Sequence, residues 1–260
     1  MSTNLNTIKL KKKGILLHYY GQIQADRLHI LFVHGASGNG TLWQHQLQGL
    51  SADYAPLAVD LPGHGHSGGK AQNRIPAYRE DLKDFKDSAG IPKFVLCGHS
   101  MGGAVALDYA LNHPEDLKAL ILISTGGKLR VAPQLLETYR SGQKNPSLVK
   151  HLYGPQAPEE LVRAGAALLE QVPAEVSYAD FLACDHFDVQ DRLNVIDLPV
   201  LILCGEQDVM TPPKYSRFLA ETIPGGRLEV FPESGHMLMQ EQGDRVNQSL
   251  KKFLQEIQFG

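Results

Sequence analysis

Short apolar runs recur along the chain, separated over its first half by longer stretches in which apolar residues return at helical spacing. Runs that are apolar at nearly every position, such as 28–33 and 117–123, are typical of strands buried on both faces of a parallel sheet. The alternation of strands and helices up to residue 127 therefore predicts an α/β fold with helices on both faces of the sheet. The apolar runs predict eight strands, over residues 5–11, 15–20, 28–33, 55–59, 94–97, 117–123, 199–203 and 227–231.

The alternation stops between residues 128 and 191, where the pattern is helical throughout and prolines separate the helices. Leu161, Ala164 and Leu168, for example, lie at helical spacing. An all-helical insertion between two parallel strands predicts a cap over the strand ends, which would shape a substrate pocket there. The predicted division is an α/β core, residues 1–127 and 192–260, and a helical cap, residues 128–191; the alternative is that these helices only extend the core.

A serine between two glycines stands where an apolar strand meets a helix, in the sequence Gly-His-Ser-Met-Gly at residues 98–102. Such a corner lifts the serine hydroxyl clear of the sheet and crowds its neighbours, so that a Cβ at position 98 or 102 would collide with the turn. We interpret this stretch as a nucleophile elbow with Ser100 as the nucleophile. A serine nucleophile also needs a base, an acid that orients the base, and donors for an oxyanion.

The acid and the base are expected after later strands. Asp208 follows the strand at 199–203 and His236 follows the strand at 227–231, at the sheet edge where α/β proteins place functional groups. Glu206 is the alternative acid. The order serine, acid, histidine along the chain is the order of the α/β-hydrolase triad.

Backbone N–H groups are the candidate oxyanion donors. The strand at 28–33 ends in a glycine-bearing loop, residues 34–38, whose amides can turn toward a substrate. The Ala36 amide is one candidate donor, and the Met101 amide, at the start of the helix after Ser100, is the other.

Four histidines lie in glycine-rich turns, and converging imidazoles would suit a metal ion. None has a ligand partner at helical i, i+4 spacing, so no metal is expected. Asp60, in one of these turns, is expected to accept backbone N–H bonds. Arg130, at the entrance of the cap, could hold a substrate carboxylate or form a salt bridge. The histidines are His34, His64, His66 and His99, and the candidate substrate contacts are His34, Gly35, His99 and Arg130.

The composition favours a globular protein that acts on a small molecule. With 43% hydrophobic and 20% charged residues among 260, the chain can bury a sizeable core. A net charge of −3 gives no general attraction to nucleic acid or to an anionic membrane. Because the sequence shows no leader-like or membrane-spanning apolar run, the expected location is cytoplasmic. The expected state is a monomer or a homodimer. The three cysteines lack disulfide or metal spacing and are expected to be buried thiols.

These motifs together resemble the α/β-hydrolase superfamily, in particular small bacterial-type serine hydrolases with a helical cap. The resemblance covers nearly the whole chain and implies a mostly parallel eight-stranded sheet and a catalytic triad of Ser100, Asp208 and His236, with no cofactor. Epoxide hydrolases and haloalkane dehalogenases of this fold carry aspartate at the elbow, so Ser100 argues against both activities.

The resemblance implies hydrolysis of a small-molecule carboxylic ester, or a related acyl bond, through an acyl-enzyme. Two alternatives stay open at this point. One is a carbon–carbon bond hydrolase or lyase that uses the same triad, and the other is a binding protein that has kept the fold without catalysis.

Overall fold

The apolar runs pair into one sheet in the computed structural model, which describes residues 4–259. The sheet has eight strands in the order β1-β2-β4-β3-β5-β6-β7-β8. β1 pairs with β2 and β2 with β4 in antiparallel register, and the remaining neighbours are parallel. The predicted fold class is thereby confirmed. The strands are β1 Leu5–Lys9, β2 Leu16–Gly21, β3 His29–Val33, β4 Ala55–Val59, β5 Phe94–His99, β6 Leu117–Ile123, β7 Val200–Gly205 and β8 Arg227–Phe231.

Helices cover both faces of the sheet. Successive residues of β3 show this, because their side chains point to opposite faces of the sheet. Leu31 packs in the core that contains α2 and α3, and Phe32 packs in the core that contains α1 and α9. Within residues 4–259, every helix is too short or too polar to cross a lipid bilayer. The helices are α1 Gln44–Leu50, α2 Ile75–Ala89, α3 Met101–Asn112, α4 Pro133–Arg140, α5 Glu159–Gln171, α6 Ala174–Asp185, α7 Pro213–Thr222, α8 Leu238–Glu241 and α9 Gly243–Phe259.

The segment between β6 and β7 contains α4, α5 and α6 and two 3-10 helices, at Pro146–His151 and Gln190–Val195. Its entry and exit lie side by side, because Lys128 and Asp188 form both an isolated antiparallel bridge and an ion pair. The N–H of Leu129 also donates to Phe187 O. We call residues 128–191 the helical segment.

The described core includes all three cysteines, Cys97, Cys184 and Cys204, as buried free thiols, as expected from their spacing. Burial raises the pKa of each thiol. Residues 1–3 and 260, at the two ends of the predicted core, lie outside the described residues.

Candidate active site

Ser100 occupies a sharp turn between β5 and α3, with φ +52° and ψ −117°. Its carbonyl oxygen accepts a hydrogen bond from Thr125 Oγ1 at 2.8 Å. The neighbouring glycines leave room for the turn, since a Cβ on Gly98 would lie 2.1 Å from Gly102 O and one on Gly102 would lie 2.2 Å from Val33 O. The steric reason for the two glycines, predicted from the sequence, is confirmed.

His236 and Asp208 form a buried pair on the loops after β8 and β7. His236 Nδ1 lies 2.9 Å from Asp208 Oδ2, which also accepts a hydrogen bond from Thr211 Oγ1 at 2.8 Å. Asp208 Oδ1 accepts the N–H groups of Met210 and Thr211, both at 2.9 Å. Burial alone would raise the pKa of Asp208, but the His236 charge and these hydrogen bonds lower it. The carboxylate therefore orients the imidazole and leaves Nε2 available for proton transfer.

Ser100 and His236 line one pocket. Loop residues 35–38 form one wall, and the helical segment forms much of the rest. The described lining residues include no carboxylate, lysine or arginine. Most of the pocket surface is apolar, from Leu42, Leu148, Leu152, Leu168, Leu169, Phe181, Met210 and Met237.

The backbone N–H groups of Ala36, in the loop after β3, and of Met101, next to Ser100 in the chain, have no acceptor among residues 4–259. Met101 is the first residue of α3, where helical N–H groups have no intrahelical acceptor and the helix dipole favours negative charge. The loop after β3 passes close to the nucleophile, because a Cβ on Gly35 would lie 3.1 Å from Ser100 Cβ. The arrangement can stabilise negative charge on a carbonyl oxygen bound at Ser100.

The imidazoles of His34 and His99 hold the backbone around the site. His99 lines the pocket, and its Nε2 donates to His236 O at 2.9 Å. His34 lies behind the loop after β3; its Nδ1 donates to Gly35 O at 2.8 Å, and its Nε2 accepts the Leu61 N–H at 3.1 Å. Burial lowers the pKa of each histidine to about 3, so both are neutral. His34 therefore positions the loop without lining the pocket.

The turn after β4 confirms the structural role predicted for Asp60. Its two carboxylate oxygens accept the N–H groups of Gly40 at 2.7 Å and His66 at 2.9 Å. His64, in the same turn, bonds to Pro62 O through Nδ1 and to a carboxylate of α6 through Nε2.

One described group of three side chains, His113, Glu115 and Asp116, has ligand atoms close enough together for a metal ion. It follows the carboxyl end of α3, whereas Ser100 precedes the amino end, about 18 Å away along the helix. Asp116 already accepts hydrogen bonds from Lys86 and Tyr109, both at 2.8 Å.

The structure does not bring Arg130 or Glu206 to the pocket. Arg130 is exposed and lines two neighbouring grooves instead of the pocket of Ser100. Glu206 is also exposed, whereas Asp208 is buried against His236. The predicted contact of Arg130 with a substrate therefore gains no support from the lining of this pocket.

Glu241 is a residue of the site that the sequence pattern did not reveal. Its carboxylate accepts the Gly235 N–H at 3.1 Å and the Gly154 N–H at 2.9 Å, so it joins the loop of His236 to the helical segment. Burial raises the pKa of Glu241 more than these hydrogen bonds lower it. No spacing or motif distinguishes this acid from the others in the sequence.

Comparison with known proteins identifies the family. The alpha/beta hydrolase family model matches residues 30–249. A pimeloyl-(acyl-carrier protein) methyl ester esterase of Vibrio atlanticus is 25% identical over 260 residues, covering 91% of this chain and 98% of that protein. Epoxide hydrolase 4 of Mus musculus is 26% identical over 288 residues, covering 96% and 79%. An esterase of Thermogutta terrifontis superposes with a TM-score of 0.87 at 26% identity, covering 98% and 99%. Because the family match extends from β3 to α9 and includes Ser100, Asp208 and His236, the chain belongs to the alpha/beta hydrolase family.

Proposed function

We propose that this hydrolase cleaves small carboxylic esters through an acyl-enzyme, with Ser100 as nucleophile, His236 as general base and Asp208 as the acid that orients the base. One observation carries the proposal. Ser100 shares a pocket with a histidine whose other ring nitrogen is fixed by a buried carboxylate. This is the arrangement that activates a serine hydroxyl.

In the first half-reaction, Ser100 Oγ attacks the ester carbonyl while His236 Nε2 takes the hydroxyl proton. The carbonyl oxygen becomes an oxyanion that accepts the N–H groups of Ala36 and Met101. Collapse of this intermediate breaks the ester bond, and the alcohol leaves with the proton from His236.

In the second half-reaction, His236 takes a proton from water as the water attacks the acyl-Ser100 carbonyl. The carboxylic acid leaves, and Ser100 Oγ regains its proton from His236. Asp208 remains ionised throughout and stabilises the imidazolium in both halves.

The pocket supports an uncharged, apolar substrate, because its wall is built from leucine, methionine and phenylalanine side chains without a charged partner for an anion. We further propose that residues 128–191 act as the cap of this pocket. Relatives named as esterases agree with ester cleavage, whereas the elbow serine argues against the epoxide chemistry named for the mouse relative.

The test is hydrolysis of p-nitrophenyl acetate, butyrate and octanoate by wild type and Ser100→Ala, together with mass spectrometry after fluorophosphonate treatment. We expect Ser100→Ala to lose at least about 10⁴-fold in kcat and to take up no label. Ser124→Ala is the matched control, since Ser124 is a buried serine at the end of the neighbouring strand whose hydroxyl has no partner within the described residues.

Full turnover by Ser100→Ala would contradict the proposal. Labelling of Ser100 without hydrolysis of any ester would instead favour carbon–carbon bond cleavage, which product analysis with vinylogous diketones would detect.

A further inference from the structure

Asp180, on α6 of the helical segment, is a fully buried carboxylate that the proposed reaction does not use. Its Oδ1 accepts the Tyr78 hydroxyl at 2.5 Å. Its Oδ2 accepts the Ser37 N–H and faces His64 Nε2, each at 2.8 Å. Three donors from the core thus meet one carboxylate from the helical segment.

His64 compensates the charge of Asp180. Its Nδ1 faces Pro62 O at 3.1 Å and its Nε2 faces the carboxylate, so both ring nitrogens meet acceptors and both carry protons. Burial alone would lower the pKa of His64, but the Asp180 charge and hydrogen bond outweigh it and raise the pKa. Asp180 and His64 thus form a buried ion pair. The Asp180 Oδ2 atom of this pair also accepts the Ser37 N–H.

The Ser37 amide is adjacent to the candidate oxyanion donor. The peptide group that carries the Ala36 N–H is held through its carbonyl, because Gly35 O accepts from His34 Nδ1 at 2.8 Å and from Gly38 N–H at 3.1 Å. The next peptide group is held by Asp180 through the Ser37 N–H. Since peptide groups are planar, fixing both neighbours of the Ala36 Cα fixes the direction of the Ala36 N–H.

The loop also needs this support because Ser37 has φ +58°, a conformation that side chains other than glycine adopt only at a cost. The hydrogen bond from the Ser37 N–H to Asp180 helps to hold this conformation.

We propose that Asp180 is a positioning residue for the oxyanion hole, through which α6 of the helical segment holds the Ala36 amide toward the reacting carbonyl. The proposal rests on the proposed ester hydrolysis. It implies that Asp180 helps to stabilise the transition state although it touches no reacting atom.

The matched control lies on the same helix and contacts the same loop residue. Ser177 Oγ hydrogen-bonds Ser37 Oγ at 2.8 Å, and Ser177 is buried like Asp180, but it does not bond to the Ser37 amide. Ser177→Ala therefore tests loss of a contact between α6 and the loop, and Asp180 variants test loss of the amide acceptor.

The experiment compares wild type, Asp180→Asn, Asp180→Ala and Ser177→Ala for kcat and KM on a p-nitrophenyl ester, with circular dichroism and Tm as folding controls. Asparagine offers one neutral acceptor oxygen for the three donors that Asp180 accepts, so we expect about a 5- to 10-fold fall in kcat for Asp180→Asn and about 100-fold for Asp180→Ala. KM should stay within about twofold, because the donor matters mainly in the transition state. Ser177→Ala should keep kcat within about threefold.

Inhibition separates positioning from a general structural defect. A boronic acid that forms a tetrahedral adduct on Ser100 should lose affinity in Asp180→Asn in proportion to kcat, while affinity for the carboxylic acid product should not change. The proposal is overturned if folded Asp180→Asn keeps the wild-type kcat and boronate affinity. It is also overturned if Ser177→Ala loses as much kcat as Asp180→Asn. If Asp180→Ala does not fold, the result for Asp180→Asn decides. Wild type that neither hydrolyses esters nor accepts fluorophosphonate would overturn the proposed function itself.

Discussion

Replacing Asp208 by asparagine should disable the base without disturbing its position. The orientation of the new amide is dictated by the backbone, because the Oδ1 position accepts two N–H groups, from Met210 and Thr211, both at 2.9 Å. Only the amide oxygen can take that place. The NH₂ group must then occupy the Oδ2 position, 2.9 Å from His236 Nδ1.

An NH₂ group at that position needs an acceptor, so Nδ1 of His236 must be unprotonated and Nε2 must carry the proton. In this tautomer, Nε2 cannot take the proton of Ser100. The same exchange in a serine protease triad lowers kcat by about 10⁴-fold, which corresponds to about 5.5 kcal/mol of activation free energy. We expect a fall of that size here.

Folding should be affected much less, since asparagine has nearly the shape of aspartate and keeps both hydrogen bonds at Oδ1. The loss of the charged bond to His236 should lower the free energy of unfolding by about 1–3 kcal/mol. Thr211→Val is the control, because it keeps the carboxylate and both backbone donors and removes only the hydroxyl, which bonds to Asp208 Oδ2 at 2.8 Å and lies 3.3 Å from His236 Nδ1.

The assay is kcat/KM for a p-nitrophenyl ester at neutral pH, with urea unfolding of the same preparations. Thr211→Val should stay within about tenfold of wild type. If Asp208→Asn retained kcat/KM within tenfold of wild type, or lost no more than Thr211→Val, the tautomer argument would be refuted.

Two other predictions concern stability. Gly102→Ala should lower Tm strongly or prevent folding, because its Cβ would lie 2.2 Å from Val33 O and 2.6 Å from His34 O, and neither backbone atom can swing away; a thermal melt within about 2 °C of wild type would contradict this. The lowered pKa of Asp208 means that its contribution to stability is present above the unfolded-state carboxyl pKa of about 3.9 and is lost as pH falls through the folded-state value. The difference in unfolding free energy between wild type and Asp208→Asn should therefore be constant near neutral pH and close on acidification, and a constant difference down to pH 2 would contradict the assignment.

The sequence was most informative where function depends on local backbone chemistry. Ser100 could be found because its turn requires glycines on both sides, and the Asp208 and His236 candidates followed from strand ends and chain order. Strand positions were predicted within one or two residues. The start of α9 at Gly243 is harder to predict, because its polar first turn carries no apolar signal.

The rest depends on contacts between distant parts of the chain. Asp180 meets Tyr78 and His64 across 102 and 116 residues, and nothing in its own surroundings in the sequence predicts either partner. Tyr78 is fully buried, which its own sequence neighbourhood does not predict either. Arg130 was proposed as a contact on its charge alone, and the sequence does not show which groove the residue lines.

The backbone of Ser100 has a thermodynamic consequence for the whole protein. Its φ of +52° with ψ of −117° is a conformation in which side chains other than glycine cost about 1–3 kcal/mol. Glycine at position 100 would relieve that strain, although it loses roughly 0.5–1 kcal/mol through its greater freedom in the unfolded chain. Ser100→Gly should therefore be inactive and yet up to about 2.5 kcal/mol more stable to urea than the active protein. At this position, selection for activity and selection for stability favour different amino acids.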